Sequence, residues 1–503
     1  MSGAVSPDRI PVIVGVGEIA NHPVELTAGL EPLTLLEAAV RRAGDDAGAP
    51  LLHEIDSLEV VNFLSWRYRD PEKLLATRLG IKPAHCAYGA VGGESPIRFL
   101  HEAAKRIARG ESKVAVVCGA EAQSTATKAE RAGVDLPWTP FAHDVPEPKR
   151  GAAYQKPLAV QLGVAKPITV YPLYEAATSA HWGQTPREAL AESGELWARF
   201  STVAAANPQS WMKREVPADE VTTPSPDNRL IAWPYTKLMV ANPTVNMGGA
   251  VLMTSLARAR DAGLAEDRLI YIHGGASAEE PVDYLLRDQF VQSHAQNAVL
   301  ETVLDMAGGD GRAFDAIELY SCFPVVPKMA RRTLGLGRDV QPTVTGGLTF
   351  HGAPLNTYMT HAACAMVRKL RKGGKLGLLY GQGGFVTKHH ALVLSRKPPH
   401  EPLAQDTSVQ AEADRRRGAV PEFVTEASGP AAVETFTVIY GSNGNIEHGV
   451  VMLRTTQNSR TLARVPALDT ATLAHLTRME RTPVGSRGEI VGAKDGIPEW
   501  RHR

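Results

Sequence analysis

The sequence predicts a duplicated, layered α/β body followed by a small antiparallel β-barrel, and three observations carry that expectation. The first is internal repetition: an amphipathic helix at 33–44 and a strand at 55–61 are matched by a helix at 297–308 and a strand at 314–320. The next helix and apolar strand also recur, 96–109 then 113–119 against 358–371 then 375–381. Asp315 lies 259 residues after Asp56, and Gly381 lies 262 residues after Gly119, an offset too constant for chance. Second, the strands are continuous apolar runs alternating with helices, the pattern of parallel sheets covered on both faces. Two such halves packed together give a layered α/β/α/β/α body. Third, residues 433–440 alternate, Asn443-Gly444 is a hairpin turn, and 446–454 reads as the returning strand. Short strands at 459–465 and 487–491 allow a barrel to close, which removes exposed edges.

In chain order, residues 8–260 form the first half, with an inserted region at about 123–245 rich in Pro, Trp and Arg and helical near 186–206. Residues 265–397 form the second half. The polar stretch 398–430, opening Pro398-Pro399-His400-Glu401-Pro402, reads as a linker, and 431–503 as the barrel.

Lys plus Arg equals Asp plus Glu at 54 each, so charge gives no case for nucleic acid or an anionic membrane surface. The first eleven residues lack a basic start and an apolar core, and no run of about 20 apolar residues suggests a membrane span, which points to a cytoplasmic protein. Cys86, Cys118, Cys322 and Cys364 are far apart, forming neither a Cys-x-x-Cys pair nor a disulfide framework, so no metal is expected.

Several stretches, in order, resemble the thiolase superfamily in its sterol-carrier-protein-type branch, over roughly residues 8–397. They are 10–17 (IPVIVGVG), 116–122 (VVCGAEA), 171–174 (YPLY), 242–253, 320–323 (YSCF) and 347–354. The resemblance implies four chemical positions, and all four are altered. The nucleophilic cysteine, placed at a helix start where backbone N–H groups favour a thiolate, falls at Gly93. The Gly-His-Pro histidine falls at Ala353. The second cysteine, of Cys-x-Gly, falls at Gly381, and the Asn-Glu-Ala-Phe or His-Asp-Cys-Phe position falls at Tyr320.

Thiolysis and Claisen condensation are therefore not expected, since nucleophile and proton carriers are absent. The resemblance leaves three readings: an acyl-CoA-binding protein without thiolase activity, an acyl-CoA carbon–carbon lyase (retro-aldolase) or other acyltransferase using different residues, and a non-catalytic partner of another enzyme. For a lyase, Tyr320 and Tyr380 are the candidates, both placed by family register near the former centre. His351, two residues before Ala353, is a third, with strand alternation expected to turn it to the same side. Ser95 reads as a helix-start residue and His361 as structural. No cofactor is required, and coenzyme A or an acyl-CoA is the implied ligand. The family uses its inserted region to hold the nucleotide, here with Trp182, Arg187, Trp197, Arg199, Trp211, Lys213 and Arg214, among which the sequence does not choose. The family is usually homodimeric, and loss of the chemistry opens a monomer.

Overall fold

The computed structural model describes residues 5–492 and 496–503. Eleven strands precede the C-terminal region: β1 (Pro11–Ala20), β2 (Ser57–Val60), β3 (His85–Tyr88), β4 (Val114–Ala122), β5 (Leu230–Ala232), β6 (Tyr235–Thr236), β7 (Asn246–Ser255), β8 (Ile270–Glu279), β9 (Ala316–Leu319), β10 (Leu376–Gly383) and β11 (Lys388–Ser395). Nine of them form one hydrogen-bonded sheet in the order β3-β2-β4-β7-β1-β8-β11-β10-β9. The order β2-β4-β7-β1 in one half is repeated as β9-β10-β11-β8 in the other. The halves join where β1 meets β8 through Val12↔Tyr271 and Ile13↔Ile270.

The duplication extends to single hydrogen bonds. Asp56 accepts from the Lys113 amide at 2.8 Å and Asp315 from the Lys375 amide at 2.8 Å, each carboxylate tying the start of β2 or β9 to the strand beside it. The expectation of parallel sheets needs correction. β3, β2 and β4 run parallel, as do β9 and β10, but β7, β1, β8 and β11 join antiparallel. The β10–β11 connection is a tight turn, which suits antiparallel neighbours and needs no crossover helix.

The helices Ser95–Arg109 and Tyr358–Arg371 pack against each other and against strands of both halves, forming the central layer. Helix Pro32–Ala47 covers the outer face of β1 and β7, and His294–Met306 that of β8 and β11. The first of these sits directly on strand backbone. A Cβ at Gly17 would lie 2.5 Å from the Ala43 amide nitrogen, so only glycine admits the helix there.

The C-terminal region is a closed five-stranded barrel of β12 (Gly429–Tyr440), β13 (Ile446–Thr455), β14 (Arg460–Pro466), β15 (Arg487–Val491) and β16 (Glu499–His502). It is not purely antiparallel as expected: β14 and β16 pair parallel through Arg464↔Glu499. Helix Thr470–Thr477 follows β14 and places Leu473 and Leu476 in the barrel core with Phe436, Val451 and Trp500. The stretch 398–430 is also not a free linker. It contains helix Gln410–Arg416, buries Leu403 and Ala413 in the body's core, and exchanges backbone hydrogen bonds with Ser277. Among the described residues no helix is long and apolar enough to cross a membrane.

One buried carboxylate spans the two halves. Glu18 on β1 accepts from His361 Nδ1 at 2.6 Å and pairs with Arg368, both on the Tyr358–Arg371 helix. Burial raises its pKa, but the His361 hydrogen bond and the charges of His361 and Arg368 outweigh that and bring it down to about 2. A carboxylate with a depressed folded pKa stabilises the fold above its ordinary range, and that contribution fades as pH falls from 4.5 toward 2. Removing one partner of a buried pair costs about 3 kcal/mol. Glu18→Gln is therefore expected to lose about that much in urea unfolding at pH 7, with the gap to the natural protein closing below pH 4.5. A gap constant over that range contradicts the role assigned to Glu18.

Candidate functional site

The start of the central helix Ser95–Arg109 is assembled by a loop rather than by a conventional cap. Pro96 occupies its first turn, Ser95 Oγ donates to the Ala90 carbonyl at 3.1 Å, and the Gly92 amide donates to Asn356 Oδ1 at 3.1 Å. Asn356 in turn donates to the Asn62 carbonyl at 2.9 Å, so the second half holds the loop in place. This presents Gly93 to the ends of β9 and β10, where the implied nucleophile would stand.

The space in front of Gly93 is taken by Tyr320. A Cβ built on Gly93 would run into the Tyr320 hydroxyl, lying 2.6 Å from Tyr320 Cζ and 2.5 Å from the Gln382 carbonyl oxygen. Tyr320 follows β9 directly, donates its amide to the Tyr380 carbonyl at 3.0 Å, and packs edge-on to Tyr358 at 5.8 Å between centroids. Burial drives its phenol pKa well up, with Cys322 and Glu94 adding to the effect, so it stays neutral. Behind it Phe323 stacks on Tyr171 at 4.4 Å, and Gln382 donates to the Tyr171 hydroxyl at 2.5 Å and to Cys322 Sγ at 3.3 Å. Burial pushes the Cys322 thiol up to about 12, which leaves it without thiolate character near neutrality.

The other candidates do not gather here. Gly381 does face the centre: a Cβ on it would be 3.1 Å from Glu94 Cα and from Ile97 Cδ1. Tyr380, one residue earlier on the same strand, faces the opposite way, as strand alternation requires. Its hydroxyl accepts from Gln296 Nε2 at 2.7 Å and lies 2.8 Å from His389 Nδ1, fully buried against the outer helix. Of the two tyrosines expected to approach one point, Tyr320 lies against Gly93, whereas Tyr380 turns away toward Gln296 and His389.

His351 is not on a strand; it ends the short helix Gly347–Phe350. Its Nδ1 lies 3.2 Å from Ser210 Oγ, its ring 5.3 Å from His361, and burial lowers its pKa to about 3, so it is neutral. Ala353 is buried and donates its amide to the Asn242 carbonyl at 2.9 Å. Glu18, His351 and His361 bring ligand-type atoms within 4.8 Å of one another, the spacing of a metal site. The Glu18 oxygens, however, are engaged by His361 and by the Arg368 guanidinium, whose positive charge opposes a cation there.

The inserted region's aromatic and basic side chains are mostly engaged in packing. Trp197 is core and donates to Thr349 Oγ1 at 3.0 Å, Arg332 stacks on Trp182 at 3.6 Å, and Trp211 stacks on His22 at 3.9 Å. Arg187 and Arg214 pair with Glu480 and Glu220, and Arg199 donates to the carbonyls of Arg338 and Asp339. One residue passed over in the sequence proves unusual. Glu94, beside Gly93, is only 3% exposed with Oε2 unpartnered, and its signal was an acidic residue squeezed between two glycines and a Ser-Pro helix start.

The family model of the thiolase-like protein type 1 additional C-terminal domain matches residues 409–495. A monomeric SCP2-thiolase like protein type 1 from Mycobacterium smegmatis superposes with a TM-score of 0.82 at 28% identity, over 99% of this chain and 100% of that one. An Ltp2-ChsH2(DUF35) aldolase shares the fold at TM-score 0.59 and 20% identity, over 78% of this chain and 98% of its own. Acetyl-CoA acetyltransferase from Syntrophomonas wolfei does so at 0.56 and 14%, over 77% and 100%. No curated protein matches the chain. The chain thus shares the fold of SCP2-thiolase like protein type 1 along its whole length, and its C-terminal region matches the additional domain of thiolase-like protein type 1.

Proposed function

We propose that this chain is a cytoplasmic thiolase-fold protein without thiolase activity, whose remaining ligand is an acyl-CoA and which works as a monomer. The observation that carries this reading is the Tyr320 hydroxyl standing where a side chain at position 93 would project. A nucleophile cannot be restored there without moving both a ring and the Gln382 backbone. The monomer follows the relative from Mycobacterium smegmatis, which is described as monomeric.

Acetoacetyl-CoA with coenzyme A is expected to give no turnover above background, and calorimetric titration with acetyl-CoA is expected to give a saturable signal. Steady thiolysis, or no heat with any acyl-CoA, defeats the respective half of the proposal. Gly93→Cys, alone or with Ala353→His, is expected to remain inactive and to melt lower than the natural protein. Overpacking of this kind costs about 1–3 kcal/mol, and adding Tyr320→Ala should return part of the lost melting temperature.

A second reading is favoured by one feature, the Tyr320 phenol, whose hydroxyl makes no hydrogen bond among the described residues while facing the old centre. A retro-aldol cleavage of a 3-hydroxyacyl-CoA needs a proton carrier at the 3-hydroxyl and stabilisation of a thioester enolate, with no cysteine. If this reading holds, cleavage is detectable and Tyr320→Phe abolishes it with little change in melting temperature, while Tyr380→Phe acts only on stability. Absence of cleavage leaves the non-catalytic reading in place.

A further inference from the structure

Beside Glu94, a cleft of about 550 Å³ opens between the start of the central helix, the end of β8 and the start of β11. Three charged side chains in its wall lack the partners that such groups ordinarily have. Among the described residues Glu94 Oε2 is buried and makes no hydrogen bond. Arg98, one turn further along the helix, forms no ion pair among them and lies over the Phe99 ring. Lys388 donates to the Val91 carbonyl at 3.2 Å and has no ion pair among the described residues.

The Glu94 carboxyl is held in a cradle made of glycine. A Cβ on Gly92 would come within 2.5 Å of Oε1 and 2.7 Å of Cδ, and a Cβ on Gly383 would collide with Oε2. The chain therefore keeps two side-chain-free positions around a carboxyl with one unsatisfied oxygen. An unsatisfied buried polar group costs about 1–3 kcal/mol, so its retention calls for a partner from outside the chain.

We propose that this cleft is a binding site for the carboxylate of a small organic acid, with Arg98 and Lys388 supplying the positive charge and Glu94, in its neutral form, donating a hydrogen bond to the ligand. Guanidinium matches carboxylate in a two-bond fork, and the ammonium adds a point charge. Burial raises the Glu94 pKa, with Lys388 and Arg98 opposing it. A phosphate dianion fits less well, because Glu279 and Glu280 share the same wall and would repel the second charge. The site is independent of any acyl-CoA bound elsewhere, so its test stands apart from the thioester titration.

Propionate, a monocarboxylate, and inorganic phosphate, titrated separately into the full chain by calorimetry, decide the matter. Propionate is expected to saturate and to bind more tightly than phosphate. Lys388→Gln and Arg98→Gln should each weaken it about tenfold, the size of one charge-assisted contact. Glu94→Gln should bind at least as well as the natural chain, since the amide keeps a donor and cannot ionise. No propionate binding, phosphate binding more tightly, unchanged affinity in both cation variants, or loss of binding in Glu94→Gln would each overturn the proposal.

Discussion

The arrangement of the two halves depends on a charge that neither could bury alone. Glu18 lies on a strand of the first half, and the groups that keep it ionised, His361 and Arg368, come from the central helix of the second. An isolated carboxylate at that depth would cost several kcal/mol, whereas a paired and hydrogen-bonded one is tolerated and fixes its neighbours. The same device recurs where the inserted region meets the second half. Lys328 pairs with Glu175 and donates to Ser193 Oγ at 2.9 Å, and Glu192 gathers Arg331, Arg332 and Arg338. Apolar packing brings these layers together without regard to direction, and the buried ions set which residue faces which.

With the layers held, the start of the Ser95–Arg109 helix has no freedom to adapt. It is clasped by Asn356 from one side and faced by Tyr320 and the Gln382 carbonyl from the other. In such a setting exchange of one residue for another is coupled: a large ring at 320 requires glycine at 93, and a side chain at 93 requires a smaller residue at 320. Gly93 and Tyr320 are thus one packing solution rather than two independent choices.

Much of the fold was legible because repeated chemistry leaves repeated sequence. Asp56 and Asp315 perform the same task on their strands, and the helices 186–206 and 358–371 appear with the limits their patterns suggested. What escaped was set by partners distant in sequence. Strand alternation turns Tyr380 away once β10 is placed, but a register borrowed from family motifs does not show that. His351 reads equally well as strand or helix, because a short apolar run carries no period long enough to tell them apart. β14 and β16 run parallel because β15, antiparallel to β16, carries the chain back between them, a non-neighbouring arrangement that strand signals alone do not reveal. Glu94 was visible in the sequence, yet its isolation became apparent only with the two glycines folded around it.

The additional barrel is built into the α/β body rather than appended to it. β5 and β6 belong to the inserted region but continue the barrel's sheet, with Ile439 pairing Ala232 and the Trp233 amide donating to the Val438 carbonyl at 2.8 Å. Thr435 donates to the Leu173 carbonyl, two residues from Tyr171, while the hydroxyl of Tyr235, next to β5, donates to Glu175 at 2.7 Å. Tyr171 and Tyr235 are the rings on which Phe323 stacks behind Tyr320. The fully buried Arg460 of β14 adds hydrogen bonds to the carbonyls of Leu285 and Arg287 and an ion pair with Glu434. The barrel therefore braces, from outside, the segments whose aromatic rings pack behind Tyr320. Displacing those rings would mean breaking hydrogen bonds that tie the inserted region to a strand of the closed barrel, so the packing around Tyr320 is held from two domains at once.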